Sequence, residues 1–300
     1  MDWSESATQA APERRSDHVE QRSIVLPRRR LVFVPVPKSG CTSVLWLLSS
    51  LAGLGQWHFR QSRSAEVTTE LAVHDLSCWP AQNVWSRLLP DERAAIAADD
   101  DWLRFTIVRH PGARLWSAWQ SKLLLREPRY ARWFGEAEWF PRIPESPAMI
   151  IEDFRAFVKA LANCDRALED AHWASQSKIL ADASWLSFIG RAEDPAATLS
   201  VLRRHLADGE DIPAVTLPRA NRSLLPYSPA LYDSETARLT NLVYGEDLST
   251  LGYPPLEPGD PTDLKAWSTS VASVLSAVES LIQRHDRIAA LSCLACYGIL

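Results

Sequence analysis

Two stretches of this chain repeat one local pattern: an apolar run, a short polar loop and a segment of helical length. Residues 30–36 are dominated by β-branched and aromatic side chains, and residues 41–53 follow with helical length and a glycine at the end. The run 102–108 leads in the same way through the turn 109–112 into the helical segment 113–125. The first run carries no polar residue after its opening arginine, which is typical of a parallel strand buried on both faces. The pattern therefore predicts an α/β fold, with a central parallel sheet flanked by helices.

Further elements follow from the same periodicities. We expect a third strand at 185–189, followed by a helix from 194 to 206. Two more helices are expected at 152–163 and 235–244. The stretch 127–147 is rich in proline and tryptophan and is expected to be a loop.

Composition divides the chain into three parts. Residues 1–28 are polar and aperiodic, which predicts a disordered leader. Residues 29–254 hold the strand and helix patterns and form the expected main domain. Residues 255–300 begin with a linker rich in proline and glycine and continue into an amphipathic helix at 264–294. This C-terminal helix is expected either to pack back on the domain or to pair with a second copy of the chain in a homodimer.

Charge and cysteine usage narrow the class of partner and the compartment. The 32 basic residues are fewer than the 37 acidic ones, and the formal net charge of −5 argues against nucleic acid or an anionic membrane as a partner. No apolar stretch approaches the ~18 residues of a membrane span, and the N-terminal segment lacks the apolar region of a signal peptide. Five irregularly spaced cysteines form no disulfide framework, and Cys293 and Cys296 lack further metal-ligand partners. We therefore expect a cytoplasmic protein with no transmembrane segment and no metal.

The loop after the first strand has the residues of an anion site. Gly40 permits unusual backbone angles, and the following helix presents free N–H groups and the positive end of its dipole. Lys38 adds a point charge, and the hydroxyls of Thr42 and Ser43 can donate to oxygens. The chain has only five lysines, so a lysine in such a loop is uncommon here. The Walker A loop of a P-loop nucleoside triphosphatase would need glycine at the positions of Val32 and Pro37, which argues against that class.

The second strand ends in a similar way. Arg109 stands where the predicted strand ends, which is where ligands bind in open α/β sheets, and Ser117 follows eight residues later in the helix. A guanidinium with a hydroxyl suits a terminal phosphate. Two anion loops on one sheet indicate a ligand with two separated anionic groups, such as a nucleotide bisphosphate.

These motifs resemble those of a known family. Residues 34–42 and 105–119 resemble the 5′-phosphosulfate loop and the 3′-phosphate motif of sulfotransferases that use 3′-phosphoadenosine 5′-phosphosulfate (PAPS). The segments 172–176, 188–193 and 244–253 are similar to later motifs of the carbohydrate sulfotransferases of the chondroitin 4-O type and their bacterial relatives. The resemblance implies a P-loop-like sulfotransferase fold over the main domain, with the C-terminal helix as an extension.

The resemblance also implies a reaction and the residues for it. The enzyme would move a sulfuryl group from PAPS to a hydroxyl of a carbohydrate or glycolipid acceptor and release adenosine 3′,5′-bisphosphate, without a metal. Lys38 would face the leaving phosphate oxygen. The residues assigned to PAPS are Lys38, Ser39, Gly40, Cys41, Thr42, Ser43, Arg109 and Ser117.

The sequence leaves more than one candidate for the catalytic base and more than one candidate activity. His74 lies between the two loops, where related enzymes keep a catalytic histidine, and His172 is its rival because its segment has a family echo of its own. Either histidine could instead serve packing or hydrogen bonding. A phosphotransferase, or a nucleotide-binding module without sulfate transfer, is the alternative to a sulfotransferase.

Overall fold

The computed structural model describes residues 18–61, 70–164, 170–181, 183–207, 216–218, 220 and 223–296. The chain forms two compact units, each assembled from separate stretches. We call them the sheet unit, within Arg14–Arg109 and Gln176–Arg222, and the helical unit, whose described residues lie within His110–Ser175 and Ser223–Leu300. The span 29–254, expected to be one domain, is therefore divided between two units.

The sheet unit contains a four-stranded sheet in the order β1-β2-β3-β4. Strands β2 (Leu31–Val34), β3 (Leu103–Val108) and β4 (Phe188–Arg191) are parallel neighbours, and β1 (Ile24–Leu26) pairs antiparallel with β2. The predicted α/β class with a mainly parallel sheet is thus confirmed, with one antiparallel strand at its edge.

Part of the predicted leader belongs to this sheet. We expected residues 1–28 to be disordered, but His18–Arg22 is a helix and β1 follows it. Ile24 and Val25 are fully buried, and a ring nitrogen of His18 lies 2.6 Å from the Pro35 carbonyl oxygen. The prediction is wrong for residues 18–28, because a three-residue apolar strand is too short to show a period within arginine-rich surroundings; residues 1–17 lie outside the described part.

The described residues form thirteen α-helices. In chain order they are α1 His18–Arg22, α2 Cys41–Leu51, α3 Gln56–Gln61, α4 Pro90–Ala98, α5 Pro111–Trp119, α6 Pro128–Phe134, α7 Pro147–Ala162, α8 Gln176–Ile179, α9 Pro195–Leu206, α10 Ser234–Val243, α11 Gly245–Thr250, α12 Pro261–Ala272 and α13 Leu275–Cys296. A π-helical stretch, Gln120–Leu124, continues α5.

Both faces of the sheet are covered by apolar side chains. Successive strand residues point to opposite faces, so Phe33 packs in the cluster that contains α2 and α9, whereas Val32 packs in the cluster that contains Ile96 of α4. Burial on both faces explains why the first run reads as continuously apolar. Arg104, the one basic residue of β3, is buried and donates hydrogen bonds to the carbonyl groups that end α4.

The helical unit is organised around an aromatic core. Trp116 and Trp119 stack with ring centroids 5.3 Å apart, and Phe154 of α7 packs edge-to-face against both rings. The stretch 127–147, expected to be a loop, contains α6. That expectation is wrong because Pro128 stands in the first turn of the helix, where proline is tolerated.

The C-terminal segment forms two helices instead of the single one expected at 264–294. Trp267 and Val271 of α12 and Val278 and Ile282 of α13 are buried in the core of the helical unit. The apolar face of the segment therefore packs back on the chain, and it gives no support to a homodimer. Among the described helices, none combines the length and the apolar character that crossing a membrane requires.

Candidate active site

The loop between β2 and α2 has two residues in left-handed backbone conformation. Lys38 has φ +69° and Gly40 has φ +86°, and the turn is closed by a hydrogen bond of 3.3 Å from the Ser39 N–H to the Val36 carbonyl. A Cβ at residue 40 would meet nothing within 4 Å, so the backbone angle and not crowding requires glycine there. Gly40 is the N-cap of α2 and offers no side-chain cap to the first N–H groups of the helix. Such a helix start is suited to an anion.

The side chains of the loop differ in burial. Ser39, Cys41 and Thr42 are buried, and Ser43 is half-buried and accepts a hydrogen bond of 3.4 Å from the Ala220 N–H. Burial raises the pKa of the Cys41 thiol, although the charge of Lys38 acts in the other direction. The thiol therefore stays protonated at neutral pH, and any contribution of Cys41 to an anion site comes from its backbone N–H.

Arg109 directly follows β3 and meets the first loop. Its Nη1 atom donates to the carbonyl oxygen of Lys38 at 3.3 Å. Because β2 and β3 are parallel neighbours, their carboxyl ends lie at one edge of the sheet, and the two basic residues come together there. The contact brings the predicted 5′ and 3′ loops into one place within the sheet unit.

His74 also lies at the first loop. It ends the short 3₁₀ helix Ala72–His74, is half-buried, and its Nε2 atom lies 2.9 Å from Thr42 Oγ1. The neighbouring Asp75 carboxylate accepts hydrogen bonds from the N–H and the hydroxyl of Ser77. Among the candidate bases, His74 is thus held against Thr42 of the first loop.

His172 belongs to the helical unit and is held by two other polar side chains. Its Nδ1 atom lies 2.8 Å from Asp170 Oδ1 and 2.8 Å from the Tyr130 hydroxyl, which donates to the other oxygen of Asp170 at 2.8 Å. Burial acts to raise the pKa of Asp170, but the charge and hydrogen bonds of His172 outweigh it, so that this pKa is lowered. Burial and the charge of Asp170 raise the pKa of Tyr130 well above its usual range.

Ser117 lies in α5, also in the helical unit. It is buried, and its hydroxyl is 3.2 Å from that of Ser223. The start of the same helix is capped by His110, whose Nδ1 atom accepts from the Gly112 N–H at 3.2 Å. Among the described residues, no group of three histidine, cysteine, aspartate or glutamate side chains is placed to hold a metal ion.

A comparison with protein families decides the class of this chain. The family model described as the sulfotransferase family matches residues 21–254, a span that starts ahead of β1 and holds both loops. The chain belongs to the sulfotransferase family. No curated protein and no solved structure matches it. Membership makes the protein a transferase enzyme whose general activity is sulfotransfer.

The structure of this sulfotransferase adds a residue that sequence reasoning left without a role. Gln176 is fully buried and accepts hydrogen bonds from Ser39 Oγ at 3.2 Å and from the Arg109 N–H at 3.0 Å. Its amide nitrogen donates to the Arg109 carbonyl at 2.7 Å. The motif 172–176 pointed to this glutamine, but a sequence motif does not show which groups a side chain meets.

The segment 170–175 that precedes Gln176 is held by buried polar groups of the helical unit. Arg114 donates to the carbonyl groups of Ala171 and Ala174, each at 2.6 Å. Tyr244 donates to the Trp173 carbonyl at 2.6 Å, and Asp247 accepts from Ser175 Oγ at 2.6 Å. These contacts give Tyr244 and Asp247, which the sequence marked only by family resemblance, a definite place in the fold.

Proposed function

We propose that this sulfotransferase uses PAPS as sulfuryl donor and a hydroxyl of a carbohydrate or glycolipid as acceptor, like the carbohydrate sulfotransferases of the chondroitin 4-O type and their bacterial relatives that it resembles. The observation that carries the donor is the contact between the two loops, Arg109 Nη1 to the Lys38 carbonyl at 3.3 Å. It joins two loops that each carry a basic residue and that follow neighbouring parallel strands, which suits a ligand with two anionic groups. The acceptor class rests on the resemblance of the sequence alone.

The first loop fits the phosphosulfate end of the donor. Its uncapped helix start supplies N–H donors, Thr42 and Ser43 supply hydroxyls, and Lys38 supplies a positive charge. In the transfer, the acceptor oxygen forms a bond to sulfur while the bond from sulfur to the bridging phosphate oxygen breaks. Lys38 stabilises the negative charge that develops on that leaving oxygen.

The second loop fits the 3′-phosphate. The Arg109 guanidinium can donate two parallel hydrogen bonds to phosphate oxygens, a geometry that lysine lacks. The assignment of Ser117 to the same phosphate rests on the sequence motif. No metal is part of the proposal, because Lys38 meets the charge that develops on the leaving phosphate oxygen.

We assign the proton of the acceptor hydroxyl to His74. Its Nε2 atom lies at Thr42, inside the unit that carries both basic loops. A histidine has an ordinary pKa near 6.5 and can accept a proton at neutral pH. His172 remains the second candidate, with its Nδ1 atom engaged by Asp170 and Tyr130.

A reducing cytoplasm is the proposed compartment, and the free thiols of Cys41, Cys78 and Cys164 support it.

Calorimetric titration with adenosine 3′,5′-bisphosphate tests the donor. We expect the wild-type protein to bind it, and R109A to bind it about 10- to 100-fold more weakly, because a hydrogen bond to a charged group contributes about 1.5–3 kcal/mol. The matched control is R28A, since Arg28 is exposed and lies outside both loops. Wild-type protein that does not bind the bisphosphate, or R109A with the affinity of R28A, would contradict the proposal.

A further inference from the structure

Gln176 stands at a point where the two loops meet in the sheet unit. The Ser39 hydroxyl of the first loop and the Arg109 N–H of the second loop donate to the same amide oxygen, at 3.2 and 3.0 Å. The amide nitrogen donates to the Arg109 carbonyl at 2.7 Å. One side chain therefore binds both the N–H and the carbonyl group of Arg109 in the second loop, and also the Ser39 hydroxyl of the first loop.

The chemistry of this position suits glutamine. An amide oxygen has two lone pairs, and here both are used by donors. The opposite orientation of the amide would set its NH₂ group against the Arg109 N–H, so the contacts fix the orientation. Because Gln176 is fully buried, loss of its amide leaves the buried Ser39 hydroxyl and the half-buried Arg109 backbone without this partner, at a cost of about 1–3 kcal/mol for each group that stays unpaired.

We propose that Gln176 is a positioning residue that couples the two anion-binding loops, so that a ligand group held at one loop orders the other loop. This inference rests on the proposed function. Gln176 acts through Ser39 and the Arg109 backbone and does not touch the ligand itself. Two groups that order a common element bind cooperatively, and such coupling is typically 5- to 150-fold in affinity.

The test compares three probes by competition titration: adenosine 3′,5′-bisphosphate, adenosine 5′-monophosphate and adenosine 3′-monophosphate. In Q176L we expect the affinity for the bisphosphate to fall at least about fivefold more than the affinity for either monophosphate, because only the bisphosphate engages both loops. The matched control is N83L. Asn83 is a buried amide of the same unit, and it donates to the Val25 carbonyl at 2.8 Å.

The outcomes separate this inference from the proposed function. Wild-type protein that does not bind the bisphosphate overturns both. Wild-type binding together with an equal loss for all three probes in Q176L, or with N83L behaving like Q176L, overturns the coupling alone, because either result indicates a general loosening of the unit. If Q176L does not fold, Q176E serves: it keeps the size of the side chain but replaces the donor to the Arg109 carbonyl with an oxygen. We expect Q176E to lose more affinity for the bisphosphate than for either monophosphate, while N83D keeps its affinity for the bisphosphate. An equal change of these affinities in the two variants overturns the inference.

Discussion

At the scale of single residues, Lys38 combines an unfavourable backbone with the proposed central role. A left-handed conformation costs an ordinary L-residue roughly 1–2 kcal/mol, and Lys38 has φ +69° in the sheet unit. Conformational strain that persists in a fold is found mostly at functional positions. The strain at Lys38 therefore fits the proposed role of its charge better than a role in stability.

This view predicts opposite effects of K38G on stability and on activity. We expect the free energy of unfolding to stay unchanged or to rise by up to about 1 kcal/mol, since glycine adopts this conformation without strain. Sulfate transfer should be lost. Urea unfolding and a transfer assay measure the two effects, with R30G as the control, because Arg30 also has a positive φ, +46°, but lies outside the loop. A K38G enzyme with full transfer would contradict the role of Lys38.

Asp170 gives a pH-dependent prediction. Its pKa is lowered in the folded protein, so its contribution to stability is present above the ordinary value near 3.9 and is lost as the pH falls through the lowered value. In H172N the burial of Asp170 remains while the charge and the side-chain hydrogen bond of His172 are lost, so the pKa of Asp170 rises. The stability difference between wild type and H172N should therefore be largest near pH 6 and shrink towards pH 3.

Urea unfolding across this pH range measures the difference. The control is H205N. It removes a half-buried histidine whose Nε2 atom contacts the backbone carbonyl groups of Arg29 and Arg30, which do not titrate. A difference between wild type and H172N that does not change with pH would show that His172 does not hold Asp170 in its ionised form.

At the scale of elements, the sequence predicted the parts whose pattern is local. Strands β2 and β3 and the helix after Gly40 were expected because apolar runs, a glycine and a helical period mark them directly. Strand β4 was expected at 185–189 but lies at Phe188–Arg191, because Trp185 stacks on Trp85 with centroids 4.9 Å apart instead of pairing in the sheet. Such a tertiary contact leaves no periodic signal in the sequence.

The same reason explains the end of α5. The helix was expected to run to residue 125, but its regular part ends at Trp119 and a π-helical stretch follows. The buried Gln120 side chain exchanges hydrogen bonds with both backbone groups of Leu225, at 3.0 and 3.1 Å. A partner more than a hundred residues away cannot be read from the helix itself.

The contact between β4 and α9 predicts the effect of G190A. A Cβ at residue 190 would overlap Thr198 Oγ1 and come within 3.2 Å of the Phe188 ring. Thr198 is fully buried in α9, so the helix must shift, and overpacking of this kind costs about 1–3 kcal/mol. We expect thermal and urea unfolding to show this loss, and G55A to show none, because a Cβ there meets nothing within 4 Å. Equal stability of the two variants would contradict the packing described.

At the scale of the whole molecule, the folded core extends beyond the part of the chain that the family model matches. The family match ends at residue 254, but Trp267 of α12 is 5% exposed, meets Trp116 with centroids 5.8 Å apart and donates to the Pro226 carbonyl at 2.9 Å. The amphipathic period of the C-terminal segment was visible in the sequence, whereas its partner was not, because either the chain itself or a second copy could cover that face.

The candidate site shows the same limit. Charge and loop position marked Lys38 and Arg109 as candidate anion ligands in the sequence, and that role stays a prediction. Their contact, the placement of His74 at Thr42 and the bridge through Gln176 depend on strand order and on a segment some 70 residues beyond the second loop. Sequence motifs name such residues but do not show which of them meet.

Transfer of labelled sulfate from PAPS to a panel of carbohydrate and glycolipid acceptors tests the central claim most directly. We expect transfer by the wild-type enzyme and by K265A, which removes an exposed lysine outside the loops. For K38A we expect a fall in kcat of about 10²- to 10³-fold, the size expected for loss of a group that stabilises developing charge. Undiminished transfer by K38A, or a wild-type protein that binds adenosine 3′,5′-bisphosphate but transfers sulfate to no acceptor, would contradict the central claim.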